Sequence, residues 1–172
     1  MSQQQNITEN MRAILVDWLV DVSVHFNVMS ETLHYAVNYI DRTLADMQVE
    51  KTKLQLVGVA CMKIADVFNE KSKEYYRQEN SAEYSYITAD EYSPQQVVAM
   101  EKAILNVLNF DLYAPTAVGF IKVYDRVLLV PPETQKVALF LSDLTLLSAK
   151  TSHFAPSLVA SACLFLSLMA TR

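Results

Sequence analysis

Few side chains in this sequence have a type and spacing that could do chemistry, and those few do not combine. The three histidines, His25, His34 and His153, stand at no metal-ligand spacing and beside no nucleophile motif. Two glycines in the whole chain leave no loop that could cradle the phosphates of a nucleotide. Asp90 and Glu91 are neighbours, but they read better as charge at a helix N-terminus than as an acid–base pair. Cys61 and Cys163 lie inside apolar runs, which suits buried free thiols of a reducing compartment rather than a disulfide. The expectation is a non-catalytic protein with no metal and no cofactor.

One charge is out of place. Arg12 sits in Met11-Arg12-Ala13-Ile14-Leu15-Val16-Asp17-Trp18-Leu19-Val20-Asp21, a segment apolar almost all round a helix and therefore buried on several sides. A cation there needs an anionic partner. Asp41 is the nearest attractive candidate, and Asp17 competes with it, although it is too close in sequence for good i,i+4 geometry. In the same segment Met11, Ile14, Leu15 and Trp18 fall at i, i+3, i+4 and i+7 and make one stripe. Such a stripe is either core or a shallow apolar groove for a partner peptide.

These residues must be positioned by helices. Of the 172 residues, 52% are hydrophobic and 19% charged, ample for a packed core, while the scarcity of glycine removes the turns that a β or dinucleotide-binding fold requires. The net charge of −5 opposes nucleic-acid binding, which needs a basic footprint. No uncharged apolar run reaches the ~18 residues of a membrane span. Helices are expected from Thr8, as N-cap, to about Phe26, from Ser30, as N-cap, to about Met47, and over about 52–70. Residues 71–86 read as a loop with at most one short helix. Thr88 with Glu91, and Ser93 with Gln96, spell capping boxes, the second with Pro94 at the first helical position. Helices follow at about 94–108, 116–129, 133–149 and 156–170, with an extended linker at 109–115. Leu56–Ile64 matches Leu158–Leu166 at four of nine positions with an offset of 102 residues. That spacing points to two tandem helical repeats, the second stopping after its third helix.

The run from Met11 to Asp21, with Glu31-Thr32-Leu33-His34, Ala36 to Arg42 and Lys53 to Gly58, resembles the first cyclin box of the A- and B-type, or mitotic, cyclins. Tyr86-Ile87-Thr88, Met100-Glu101, Phe110-Asp111-Leu112 and Ala114-Pro115-Thr116 continue the resemblance, which extends more loosely through a second box. It implies an all-α cyclin fold of tandem five-helix bundles: a lead-in at 1–10, box 1 at 11–112 and a partial box 2 at 113–172. It also implies a non-catalytic subunit of the nucleus and cytoplasm that binds and allosterically activates a cyclin-dependent protein kinase.

By the same resemblance, Met11, Ile14, Leu15, Trp18, Asp21 and Gln55 would line a groove for Arg-x-Leu motifs of substrates and inhibitors. Asp21 there replaces the longer Glu usual in A-type cyclins. Arg12 and Asp41 would form a structural ion pair. Val67, Phe68, Glu101, Phe110 and Leu112 match kinase-contact positions. Val67 departs from the family, which usually carries there a lysine that donates to kinase main-chain carbonyls. Lys63 and Lys71, four residues to either side, are candidate substitutes. The stretch between Glu70 and Thr88 is also longer than in A-type cyclins. A scaffold that does not activate a kinase, and a DNA-binding transcription factor of related fold, are the alternative functions.

Overall fold

A central helix, nearly all of whose surface is buried, organises the first half of the chain. The computed structural model describes residues 4, 6–70 and 81–171. These contain helices α1 (Glu9–His25), α2 (Ser30–Asp46), α3 (Leu54–Asn69), α4 (Ser81–Tyr86), α5 (Pro94–Val107), α6 (Ala117–Leu128), α7 (Pro132–Thr145) and α8 (Pro156–Ala170). No strand occurs among the described residues, so the all-α expectation holds. The chain divides into two compact units, Met1–Tyr113 and Ala114–Arg172.

In the first unit α3 packs against α1, α2, α4 and α5. Leu56, Val57, Val59, Ala60, Cys61, Met62, Ile64 and Ala65 are all buried, and each larger aliphatic side chain contributes about 1.5–3 kcal/mol on leaving water. Burial also pushes the Cys61 thiol far above its ordinary pKa, and both cysteines are free and buried. Gly58 lets α1 close on α3, because a Cβ at this position would lie 2.6 Å from Leu15 Cδ1.

Polar ties fix the other helices around this core. Arg12, 1% exposed, donates from Nε to Asp41 Oδ1 at 2.5 Å and from Nη2 to Asp41 Oδ2 at 2.7 Å. This fork joins α1 to α2, and it is Asp41 rather than the exposed Asp17 that Arg12 reaches. Tyr84 of α4 donates to Asp66 of α3 at 2.7 Å and lays its ring on Phe26 at 4.4 Å. Tyr92, just before α5, donates to the carbonyl of Thr52, just before α3. Farther along, Lys63 pairs with Glu101, so α5 runs beside α3 in the same direction. The Gln4 side chain donates to the carbonyls of Leu44 and Met47, at 2.8 and 2.7 Å, and accepts from Val49 N–H at 3.2 Å. With Ile7 buried as well, Gln4 and Ile7 ahead of Met11 take part in the first unit's packing.

Local signals explain several helix starts. Thr8 accepts from Met11 N–H, Ser93 and Gln96 complete a capping box with Pro94 behind it, and Thr116 accepts from Gly119 N–H. Three expectations fail. Ser30 does not cap α2. Its N-cap is Met29, and the buried Glu70 carboxylate at the end of α3 does the work by accepting from Met29 N–H at 2.6 Å and Thr32 Oγ1 at 2.7 Å. Thr88 with Glu91 makes no capping box. Thr88 donates back to the Ser85 carbonyl, while Ala89 and Asp90 adopt left-handed φ values of 54° and 56°, closing a turn. Helix α7 stops at Thr145 because Thr151 Oγ1 draws the chain back by donating to the carbonyls of Thr145 and Ser148.

The second unit holds α6, α7 and α8, with Ala117, Ile121, Ala138, Ala160, Cys163 and Leu164 as its buried core. Gln135 donates to Asp125 at 2.9 Å, tying α7 to α6, and the hydroxyls of Thr134 and Thr171 share a hydrogen bond of 2.7 Å. Between α7 and α8 an open apolar hollow of about 560 Å³ is lined by Leu141, Leu144, Phe154, Leu158 and Leu166 among others.

Two stability predictions follow from the ties in the first unit. Arg12→Ala leaves Asp41 without its partner and is expected to cost about 3–5 kcal/mol, read as a lowered denaturation midpoint. An unchanged midpoint would contradict the structural role given to the fork. Glu70→Ala uncaps α2 across 38 residues of sequence separation and is expected to cost about 1–2 kcal/mol. If it costs no more than substitution of an exposed glutamate such as Glu50, α2 is capped by other means.

Candidate functional site

Two surfaces of the first unit gather the residues singled out in the sequence. The first is the valley between α1 and α3. Leu15, only 5% exposed, sits on Gly58 and forms its floor. Ile14, 63% exposed, and the half-buried Met11 and Trp18 rise beside it. Asp21 is exposed one turn beyond Trp18, and Gln55 is half-buried one turn before Gly58 on α3. The stripe read from the sequence therefore splits. Leu15 is a packing residue, and only its neighbours offer apolar surface to a ligand. Asp17 and Asp21, one turn apart on α1 and both exposed, make the polar edge of this valley anionic.

The second surface lies where α3 and α5 end. Val67 is 72% exposed at the end of a helix that is largely buried. Phe68 is half-buried and meets Tyr35 edge-on at 5.3 Å between ring centroids. Lys63, one turn before Val67, donates to Glu101 Oε2 at 2.5 Å, and both side chains are largely covered. Leu105, one turn beyond Glu101 on α5, accepts from Phe110 N–H at 3.0 Å. One turn of α3, an ion pair, one turn of α5 and a hydrogen bond thus connect Val67 to Phe110. Lys71 lies outside the described residues.

Phe110 is 65% exposed, and its backbone is unusual. Asn109 and Phe110 both adopt left-handed φ, 51° and 56°. Asparagine tolerates that region, but a bulky aromatic residue enters it only when its surroundings hold it there. The holding groups come from α2. Tyr39 donates to the Leu112 carbonyl at 2.8 Å, and Arg42 donates to the Asp111 carbonyl at 2.7 Å while facing its carboxylate at 3.6 Å. Burial pushes the Tyr39 phenol far above its ordinary pKa, so it stays a donor across the physiological range. Sequence reasoning missed Tyr35, Tyr39 and Arg42. Their only signal was an i, i+4 and i+7 spacing on α2.

Among the described residues no cluster of histidine, cysteine and carboxylates could hold a metal ion. Nor is any helix among them long and apolar enough to cross a membrane.

Comparison with known proteins divides the chain at the same place as its two compact units. Residues 1–113 match the family model of the cyclin N-terminal domain, and residues 115–171 match that of the cyclin C-terminal domain. Cyclin-A2 of Xenopus laevis is 46% identical over 163 residues, which are 94% of this chain and 38% of that protein. Human Cyclin-A2 is 46% identical over 172 residues, 98% of this chain and 38% of the relative. The G2/mitotic-specific cyclin-B1 of Oryzias latipes is 42% identical over 164 residues, 95% of this chain and 39% of the relative. The chain thus spans well under half the length of these relatives. In three dimensions, a viral cyclin from herpesvirus saimiri superposes with a TM-score of 0.88 over 99% of this chain and 74% of its own, at 22% identity, which supports the fold. With both cyclin domain models matched and mitotic cyclins as relatives, the chain belongs to the cyclin family.

Proposed function

We propose that this chain is a regulatory subunit that docks on a cyclin-dependent protein kinase through the ends of α3 and α5, and that it recruits substrates through the α1–α3 valley. The observation that carries the first half is Phe110, an exposed aromatic held in left-handed backbone conformation by Tyr39 and Arg42 beyond it. Strain of this kind persists where the surroundings over-determine it and commonly marks a working surface. In this reading Val67, Phe68, Glu101 and Leu112 contribute to the same docking face. The chain supplies no reacting group. It acts by binding one kinase conformation better than the other, the one in which the kinase's helix-borne Glu pairs the ATP-positioning Lys and its activation loop opens.

The valley suits a peptide carrying a basic and an aliphatic residue in Arg-x-Leu spacing. Ile14, Trp18 and Met11 would take the aliphatic side chain, and Asp21 would face the guanidinium, with Gln55 free to hydrogen-bond the peptide main chain. In this reading residues 11–112 form the first cyclin box and 113–172 part of a second, and the protein works in the nucleus and cytoplasm, where its kinase and substrates meet.

Addition of the purified chain to a purified, cyclin-free cyclin-dependent kinase is expected to raise substrate phosphorylation by at least about tenfold. Binding without a rise in rate would make the chain a scaffold, and absence of binding would overturn the kinase reading. For the valley, Ile14→Ala combined with Trp18→Ala is expected to weaken binding of an Arg-x-Leu peptide by about 2 kcal/mol or more in calorimetry, with kinase affinity unchanged. Equal loss of both activities by a folded variant would show that the two surfaces are not separate.

A further inference from the structure

The tip of α3 exposes an aliphatic side chain, and the charges next to it are paired with each other. Val67 stands out in solvent. One turn back, the Lys63 ammonium is 2.5 Å from Glu101 Oε2, with side-chain exposures of 13% and 19%. A cation and an anion so covered, at such a distance, are each other's main electrostatic partner, and their fields largely cancel toward anything placed against Val67. Phe110, tied to α5 one turn beyond Glu101 through the Leu105 carbonyl, adds an exposed aromatic surface and no charge.

Resting on the kinase reading above, we infer that Lys63 is a specificity-determining residue whose task is to silence Glu101, so that this face accepts a kinase surface presenting an uncharged, apolar group opposite Val67. Lys63 therefore does not stand in as a donor to the kinase main chain. Without it, the Glu101 carboxylate would be covered by the partner with no counter-charge, a costly arrangement. With it, covering the pair buries a neutral unit, and the apolar contact at Val67 and Phe110 carries the recognition.

The distinction is experimental. Binding of the chain to a purified cyclin-dependent kinase would be measured for wild type, Lys63→Met, Lys63→Met with Glu101→Met, and Val67→Ser, each checked for an unchanged fold by circular dichroism. Lys63→Met is expected to weaken binding about tenfold or more by uncovering the carboxylate. The double variant, neutral again, is expected to return to within about threefold of wild type, the non-additivity expected of a coupled pair. Val67→Ser, at a site too exposed to unfold the chain, is expected to weaken binding by about threefold or more through lost apolar contact. If the double variant stays as weak as Lys63→Met, the lysine contacts the kinase itself and the inference falls, with the kinase reading intact. Unchanged or tighter binding by Val67→Ser overturns the apolar match in the same way. If folded wild type and every variant fail to bind, the kinase reading fails and this inference with it.

Discussion

Helix α3 has almost no free surface, and both candidate surfaces of the first unit are built against that fact. A helix that packs against four others fixes each of them in direction and register. Its N-terminal half receives α1 at Gly58, where the missing Cβ leaves room for Leu15. That close approach sets the depth of the α1–α3 valley. Its C-terminal half receives α5 through Lys63 and Glu101 and ends on the exposed Val67. The two candidate surfaces are therefore two ends of one buried rod, and they are held apart by a packed core that deforms little.

The polar groups that accompany this core each solve a stated difficulty. Arg12 is buried because α1 is apolar on several sides, and its fork onto Asp41 compensates the desolvated guanidinium with charge-assisted hydrogen bonds. The buried Glu70 carboxylate accepts from Met29 N–H and the Thr32 hydroxyl at the start of α2, where the Met29 side chain offers no cap. The left-handed pair Asn109–Phe110 turns the chain sharply after α5, and the Tyr39 and Arg42 bonds to the following carbonyls hold the turned segment to α2.

Much of this was legible in the sequence because it is local. Thr8, Ser93 with Pro94, and Thr116 carry their own capping chemistry, and prolines 132 and 156 open α7 and α8. Arg12 announced a buried pair by sitting on an apolar helix. What was not legible depended on distance in the chain. The cap of α2 comes from the far end of α3, and no local motif encodes it. The stripe Met11–Ile14–Leu15–Trp18 told which residues share a face, but only the packing of Gly58 decided that Leu15 lies under the surface and Ile14 on it. The repeat shows the same limit. Leu56 and Ile64 of α3 are buried, while Leu158 and Leu166, which match them 102 residues later, are more than half exposed. Similar helices acquire different surroundings because α5 covers α3, whereas the described neighbours of α8 are α6 and α7.

The two surfaces proposed at the two ends of α3 would bind their partners independently. Hydrogen–deuterium exchange of the chain, alone and with a bound cyclin-dependent kinase, measures this directly. Protection on kinase binding is expected at the C-terminal turns of α3 and α5 and across 109–113, with α1 from Met11 to Asp21 exchanging as before. Protection centred on α1, or confined to the second unit, would contradict it.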